Sequence, residues 1–125
     1  MSPAETLRAA ATLIRDTASK ATPGAREVAY LAGIGTCVRN PDLSFCVTVE
    51  HGWVQEGDAA WIALMSPDKA EHLFRWLADA ANDMAGAEVV GSKLPDAADP
   101  IEYCDEPDSV RAALAFARTI LGRDS

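Results

Sequence analysis

The chain has 125 residues, of which 49% are apolar and 6% aromatic, and its 19 acidic side chains outnumber 11 basic ones. This length predicts a single domain over 1–125 that buries about two-thirds of its unfolded surface without metal or disulfides. The net charge of −8 excludes a broad basic face, so no direct nucleic-acid binding is expected. No apolar run is long enough to cross a bilayer, so no membrane partner is expected either.

The first residues predict a helix from Pro3 to Lys20. Ser2 and Glu5 have the spacing of a capping box around Pro3, and apolar residues follow at three- and four-residue steps. Thr22-Pro23-Gly24 ends this helix, because proline disfavours helix at the preceding residue and glycine accepts a left-handed turn.

The middle of the chain predicts a β-hairpin. Residues 28–38 are rich in strand formers, residues 44–50 alternate between apolar and polar, and 39–42 supply turn residues. With Pro41 and Asp42 as the loop, Cys37 opposes Cys46. This register makes Cys37 and Cys46 a candidate redox pair.

Three further helical segments are predicted. Asp58 is the expected N-cap of a short helix over 59–65, and Ser66-Pro67 begins a longer one that ends near Gly86 and meets the first at a kink. Residues 88–90 are compatible with a short strand, but the sequence assigns no definite element to this stretch. A last helix over 109–121 is capped by Asp108 and ends at Gly122.

Residues 96–108 form a proline-rich segment that is predicted to be an acidic loop. It has two interpretations: a solvated connector, or a functional surface that either partly mimics the charge of a nucleic acid or docks a basic host protein. Its acidic residues are Asp96, Asp99, Glu102, Asp105, Glu106 and Asp108.

Together these elements predict an α+β fold in which a small antiparallel hairpin packs against three to four helices. The order is helix, two strands, kinked helix, acidic loop and helix. Four segments of the chain carry a resemblance to known proteins: residues 5–11, 21–24, 58–67 and 113–122. In these segments the chain resembles a group of small actinobacterial and actinophage proteins to which no activity is assigned. The resemblance implies a bacterial or phage origin and transfers no catalytic residue.

The candidate chemistry of the sequence is sparse. His51, Trp53 and Asp58 are candidates for a binding cleft or a small active site. The cysteines and histidines lack zinc-ligand spacing, so no metal and no cofactor are expected. Trp61 and Trp76 are predicted to lie in the core, and Trp53 to be the most exposed tryptophan.

The function predicted from these features is that of a small non-catalytic accessory protein that binds a protein partner. The chain begins without a secretory signal pattern, so the expected compartment is the cytoplasm. Self-association through the alanine-faced helices is an alternative use of its surface. A small enzyme or ligand-binding domain, and a thiol redox or metal-binding protein, remain the rival functions.

Overall fold

A computed structural model describes residues 1–21, 23–31, 35–42, 46–47, 56–94 and 99–122. Their helices and strands are α1 (Pro3–Lys20), β1 (Glu27–Leu31), β2 (Gly35–Arg39), β3 (Cys46–Val47), α2 (Glu56–Leu64), α3 (Ala70–Ser92) and α4 (Pro107–Ile120). Two 3₁₀ turns, Pro67–Lys69 and Pro100–Tyr103, precede α3 and α4. The α+β class and the order of the elements are confirmed.

The backbone divides into two compact units. The helical unit contains 1–16 and 71–125, and the sheet unit contains 17–70. This division does not test whether the two units fold as one domain, so the single domain over 1–125 stays a prediction.

The core of the helical unit is built from small apolar side chains on α1, α3 and α4. The largest fully buried side chains of this core are Leu7 on α1, Leu77 and Met84 on α3, and Val110 on α4. The alanines between them allow close helix contact, since they add little bulk and lose no side-chain entropy. Ile101 and Cys104 extend this core into the segment that joins α3 to α4.

The predicted start of α1 is confirmed in detail. The backbone N–H of Glu5 donates to Ser2 Oγ at 3.2 Å, and the Glu5 carboxylate accepts from the N–H of Ser2 at 3.2 Å. This reciprocal pair satisfies donors that the first helical turn leaves open.

Helix α3 corrects the predicted end near Gly86, because it continues through that residue to Ser92. Residues 88–90 are therefore helical and form no strand. The reason lies in packing: Ala87 and Gly91 continue the buried stripe of α3 past Gly86. That burial outweighs the cost of about 1 kcal/mol that an internal glycine imposes.

The sheet unit corrects the predicted hairpin. The segment 28–38 is not one strand, since β1 and β2 both lie within 27–39 and pair antiparallel with each other. In order β1-β2-β3, β2 is the central strand, and β3 pairs Val47 with Val38 and Cys46 with Arg39. Gly33 and Gly35 are compatible with two shorter strands, whereas the richness of 28–38 in strand formers favoured one longer strand.

Asn40, in the predicted turn at 39–42, forms a hydrogen bond to a distant part of the chain. Its side chain is buried and donates from Nδ2 to the carbonyl of Pro23 at 2.9 Å. The neighbouring Gly24 adopts φ +106°, a left-handed conformation that favours glycine. The turn residues therefore anchor the chain segment that follows α1.

Candidate functional site

Of the three residues predicted to form a cleft, His51, Trp53 and Asp58, the structure describes only Asp58. His51 and Trp53 lie outside the described residues. Asp58 is the third residue of α2 and is exposed, so it is not the N-cap that its spacing suggested. The helix begins two residues earlier, at Glu56.

The predicted register, in which Cys37 lies directly opposite Cys46, is wrong, whereas the redox role of these cysteines stays a prediction. Cys46 lies opposite Arg39, and Cys37 lies opposite Ala29. The redox role of Cys37 and Cys46 loses the register that supported it.

Cys104 is a buried thiol in the helical core. Its Sγ lies 3.9 Å from Sδ of Met84. Burial raises the pKa of this thiol, and the negative charges of Asp83 and Asp105 raise it further. The side chain is therefore protonated near neutral pH and is a poor nucleophile.

The acidic segment is an ordered connector and not a solvated loop from Asp99 onward. Asp99 Oδ1 accepts from the backbone N–H of Ile101 at 3.2 Å and caps the 3₁₀ turn Pro100–Tyr103. Ile101 and Cys104 are buried beneath it. Asp96 lies outside the described residues.

One carboxylate of α3 holds the end of this connector. Asp83 accepts from the backbone N–H groups of Asp105 at 2.8 Å and Glu106 at 3.1 Å. The side chains of Glu102, Asp105 and Glu106 remain exposed. These three side chains form an acidic surface. The backbone that carries Asp105 and Glu106 is held in place by the carboxylate of Asp83.

Of the two tryptophans predicted to lie in the core, Trp76 is half-buried and Trp61 is exposed. Trp76 is half-buried against the helical core and lies 5.5 Å, ring centre to ring centre, from Phe116. Trp61 is 64% exposed, so its predicted place in the core is wrong. The apolar run 59–65 buries Ala59 completely and leaves the larger residues outside.

These larger residues define an α2 apolar face made of Trp61, Leu64 and Met65. Their spacing places them on one side of the helix, and the N–H of Met65 donates to the carbonyl of Trp61 at 3.0 Å, which continues the helical turn. Leu64 is 59% exposed and Met65 is 43% exposed. Ile62, beside this face, is also exposed.

Strand β1 of the same unit also carries exposed apolar residues. Val28 and Tyr30 alternate with Ala29 and so share one face of the strand. Tyr30 is 77% exposed. β1 is an edge strand in the described sheet, and both β1 and β2 contact α2.

The helical unit contains a cleft of about 300 Å³. Its apolar lining comes from Met84, Ile101 and Leu114, all of which are buried. Pro3 and Ala115 also line it. Within the described part of the chain, its polar lining consists of Asp99, Arg111 and Arg118.

Sequence reasoning missed the two arginines of this cleft. Arg111 and Arg118 are seven residues apart on α4, with Leu114 and Ala115 between them on the same face. The sequence alone therefore could have placed both arginines on one face of the last helix. The tertiary structure was needed to show that Met84 and Ile101 close the other side.

Comparison with known proteins yields no relative: no protein-family model, no curated protein and no solved structure matches the chain. Within the described residues, no three metal-ligating side chains come together. None of the described helices combines the length and apolar character needed to cross a membrane.

Proposed function

We propose that the chain is a small, non-catalytic accessory protein of the cytoplasm that binds a protein partner through the α2 apolar face. The observation that carries the proposal is the exposure of Trp61, Leu64 and Met65 side by side on one helix. Large exposed apolar surfaces in folded proteins are typical of interaction sites.

The energetics of these side chains favour a bound state. Complete burial of a leucine or methionine side chain contributes about 1.5–3 kcal/mol. Tryptophan is among the residues that most often dominate the affinity of an interface, because its large ring fills a pocket in the partner. A partner that covers Trp61 and Leu64 would gain both contributions.

The charge of the chain supports a partner other than a second copy. Each copy carries a net charge of −8, and like charges oppose association. The exposed carboxylates of Glu102, Asp105 and Glu106 add a fixed negative surface. The partner expected from these features has an apolar pocket and a neutral or basic surface.

The test uses a double variant, Trp61→Ser with Leu64→Ser, on the intact protein. Its matched control is Val89→Ser with Val90→Ser, which removes two exposed apolar residues from another helix. A partner recovered from native host lysate with the unaltered chain is purified, and its affinity for each variant is measured by calorimetry. We expect at least about a tenfold loss for the α2 variant and little change for the control.

Two results would overturn this assignment. One is equal affinity of the α2 variant and the control variant for the purified partner. The other is a dimer of the unaltered chain at micromolar concentration that becomes monomeric in the α2 variant, which would assign the face to self-association.

A further inference from the structure

The cleft of the helical unit has the composition of a small-ligand site, and this feature is separate from the α2 apolar face. Among the described residues, its floor is apolar and its polar lining contributes one carboxylate and two guanidinium ions. We infer that the cleft between α3, α4 and the 3₁₀ turn Pro100–Tyr103 binds a small organic monocarboxylate with an apolar body. This inference goes beyond the proposed partner binding.

The size of the cleft limits the ligand. The cleft has a volume of about 300 Å³, and an apolar cavity of about 150 Å³ is already large enough to bind benzene. Met84, Ile101 and Leu114 form the buried floor and expose little surface. Most of the hydrocarbon contact for the ligand therefore comes from the more exposed Pro3 and Ala115. A body of one aromatic ring or a short alkyl chain therefore fits.

The arginines supply the charge that recognises the acid. Arg118 is half-buried and takes part in no ion pair within the described part of the chain. Arg111 bonds Asp108 at 3.2 Å, but the side chain of Asp108 is fully exposed, so this ion pair contributes little and leaves Arg111 able to turn. A guanidinium ion binds a carboxylate through two parallel hydrogen bonds.

Asp99 selects against more highly charged anions. Its carboxylate lines the same cleft and uses Oδ1 to accept from the N–H of Ile101. A second negative charge on the ligand would lie in the same small space as Asp99 and would be repelled. The cleft is therefore suited to a monoanion and poorly suited to inorganic phosphate.

The probe for the test is 3-phenylpropanoate, titrated into the intact protein and followed by amide NMR and calorimetry. We expect saturable shifts at Ile101, Leu114 and Ala115, with a Kd of about 1 mM or lower, as is usual for ligands of this size. The neutral amide 3-phenylpropanamide should bind about tenfold more weakly, because it lacks the charge that Arg118 recognises.

Two pairs of variants locate the site. Arg118→Gln should weaken binding of the acid by about tenfold, whereas Arg8→Gln, an exposed arginine of α1 with the same charge change, should leave it unchanged. Ala115→Phe should fill the cleft and abolish binding, whereas Ala112→Phe, on another exposed part of α4, should not. Circular dichroism confirms that each variant is folded.

The inference is overturned by any of three results. The first is the absence of saturable shifts up to a probe concentration of about tenfold the expected Kd. The second is equal binding of the acid and its amide, or equal binding by the Arg118 and Arg8 variants. The third is tighter binding of inorganic phosphate or of 3-phenylpropylamine than of the acid.

Discussion

The carboxylate of Glu88 accepts a hydrogen bond from the backbone N–H of Ala4 at 3.1 Å. The bond joins the C-terminal half of α3 to the first turn of α1, where Ala4 is buried. It satisfies a donor that the helix itself leaves open, and it places a negative charge at the positive end of the α1 dipole. The extension of α3 beyond Gly86 makes this contact available.

We expect Glu88→Ala to lower the free energy of unfolding by about 1–2 kcal/mol, because a partly buried N–H loses a charged acceptor. Urea denaturation measures the change. The control is Glu102→Ala, which removes an exposed glutamate from the 3₁₀ turn Pro100–Tyr103 and should change stability little. Equal effects of the two substitutions would show that the Glu88–Ala4 bond does not stabilise the helical unit.

Asp83→Ala should free the start of α4, because the N–H groups of Asp105 and Glu106 both donate to this carboxylate. The expected loss of stability is about 1 kcal/mol, comparable to the loss of a helix cap. Hydrogen exchange should accelerate at those two amides. Asp79→Ala, one turn earlier on the exposed side of α3, should leave their exchange unchanged; unaltered exchange in the Asp83 variant would contradict the capping role.

Gly86→Ala should stabilise the protein by about 0.5–1 kcal/mol, because an alanine in a helix interior loses less conformational entropy than glycine. An added Cβ at this position meets no atom within 4 Å. Gly91→Ala is the matched comparison in the same helix, where the new Cβ would lie 3.4 Å from Cγ of Pro100. Thermal melts should show a smaller gain at 91 than at 86, and a loss at 86 would contradict helical continuity there.

Alkaline pH should destabilise the protein through Cys104. Because the pKa of its thiol is raised in the folded state, the unfolded chain loses this proton first. The stabilising contribution is complete below the ordinary thiol pKa and is lost as pH rises from there through the higher pKa of the folded protein.

The stability of the unaltered chain relative to Cys104→Ala, measured by urea denaturation between pH 7 and pH 10.5, tests this dependence. The difference between the two proteins should shift against the unaltered chain as pH rises. A constant difference, or a shift in its favour, would contradict the raised pKa. Groups that titrate in both proteins cancel in this comparison.

Local sequence signals were sufficient for α1 and for most of α4. The predicted cap at Asp108 is wrong, because α4 begins at Pro107 and its N-cap is Glu106. The capping pair of Ser2 and Glu5, and the left-handed Gly122 after α4, act within a few residues of the helix ends that they define. The buried positions of α4, Val110, Ala113, Leu114 and Ala117, follow its helical spacing. The sequence alone also determined the α+β class, since helical and alternating periods occupy separate stretches of the chain.

Tertiary structure decided the features that matter most for function. Burial of Ala87 and Gly91 carried α3 past a glycine that favours an end, and hydrogen bonding between β1 and β2 fixed a register that period two leaves open. Trp61 lies on the exposed side of α2 because its helix turns Ala59 inward, a choice that an almost wholly apolar run does not specify. The cleft likewise required Arg118 of α4 and Met84 of α3 to line the same space. Contacts between distant segments, unlike helical spacing, are set only when the chain packs.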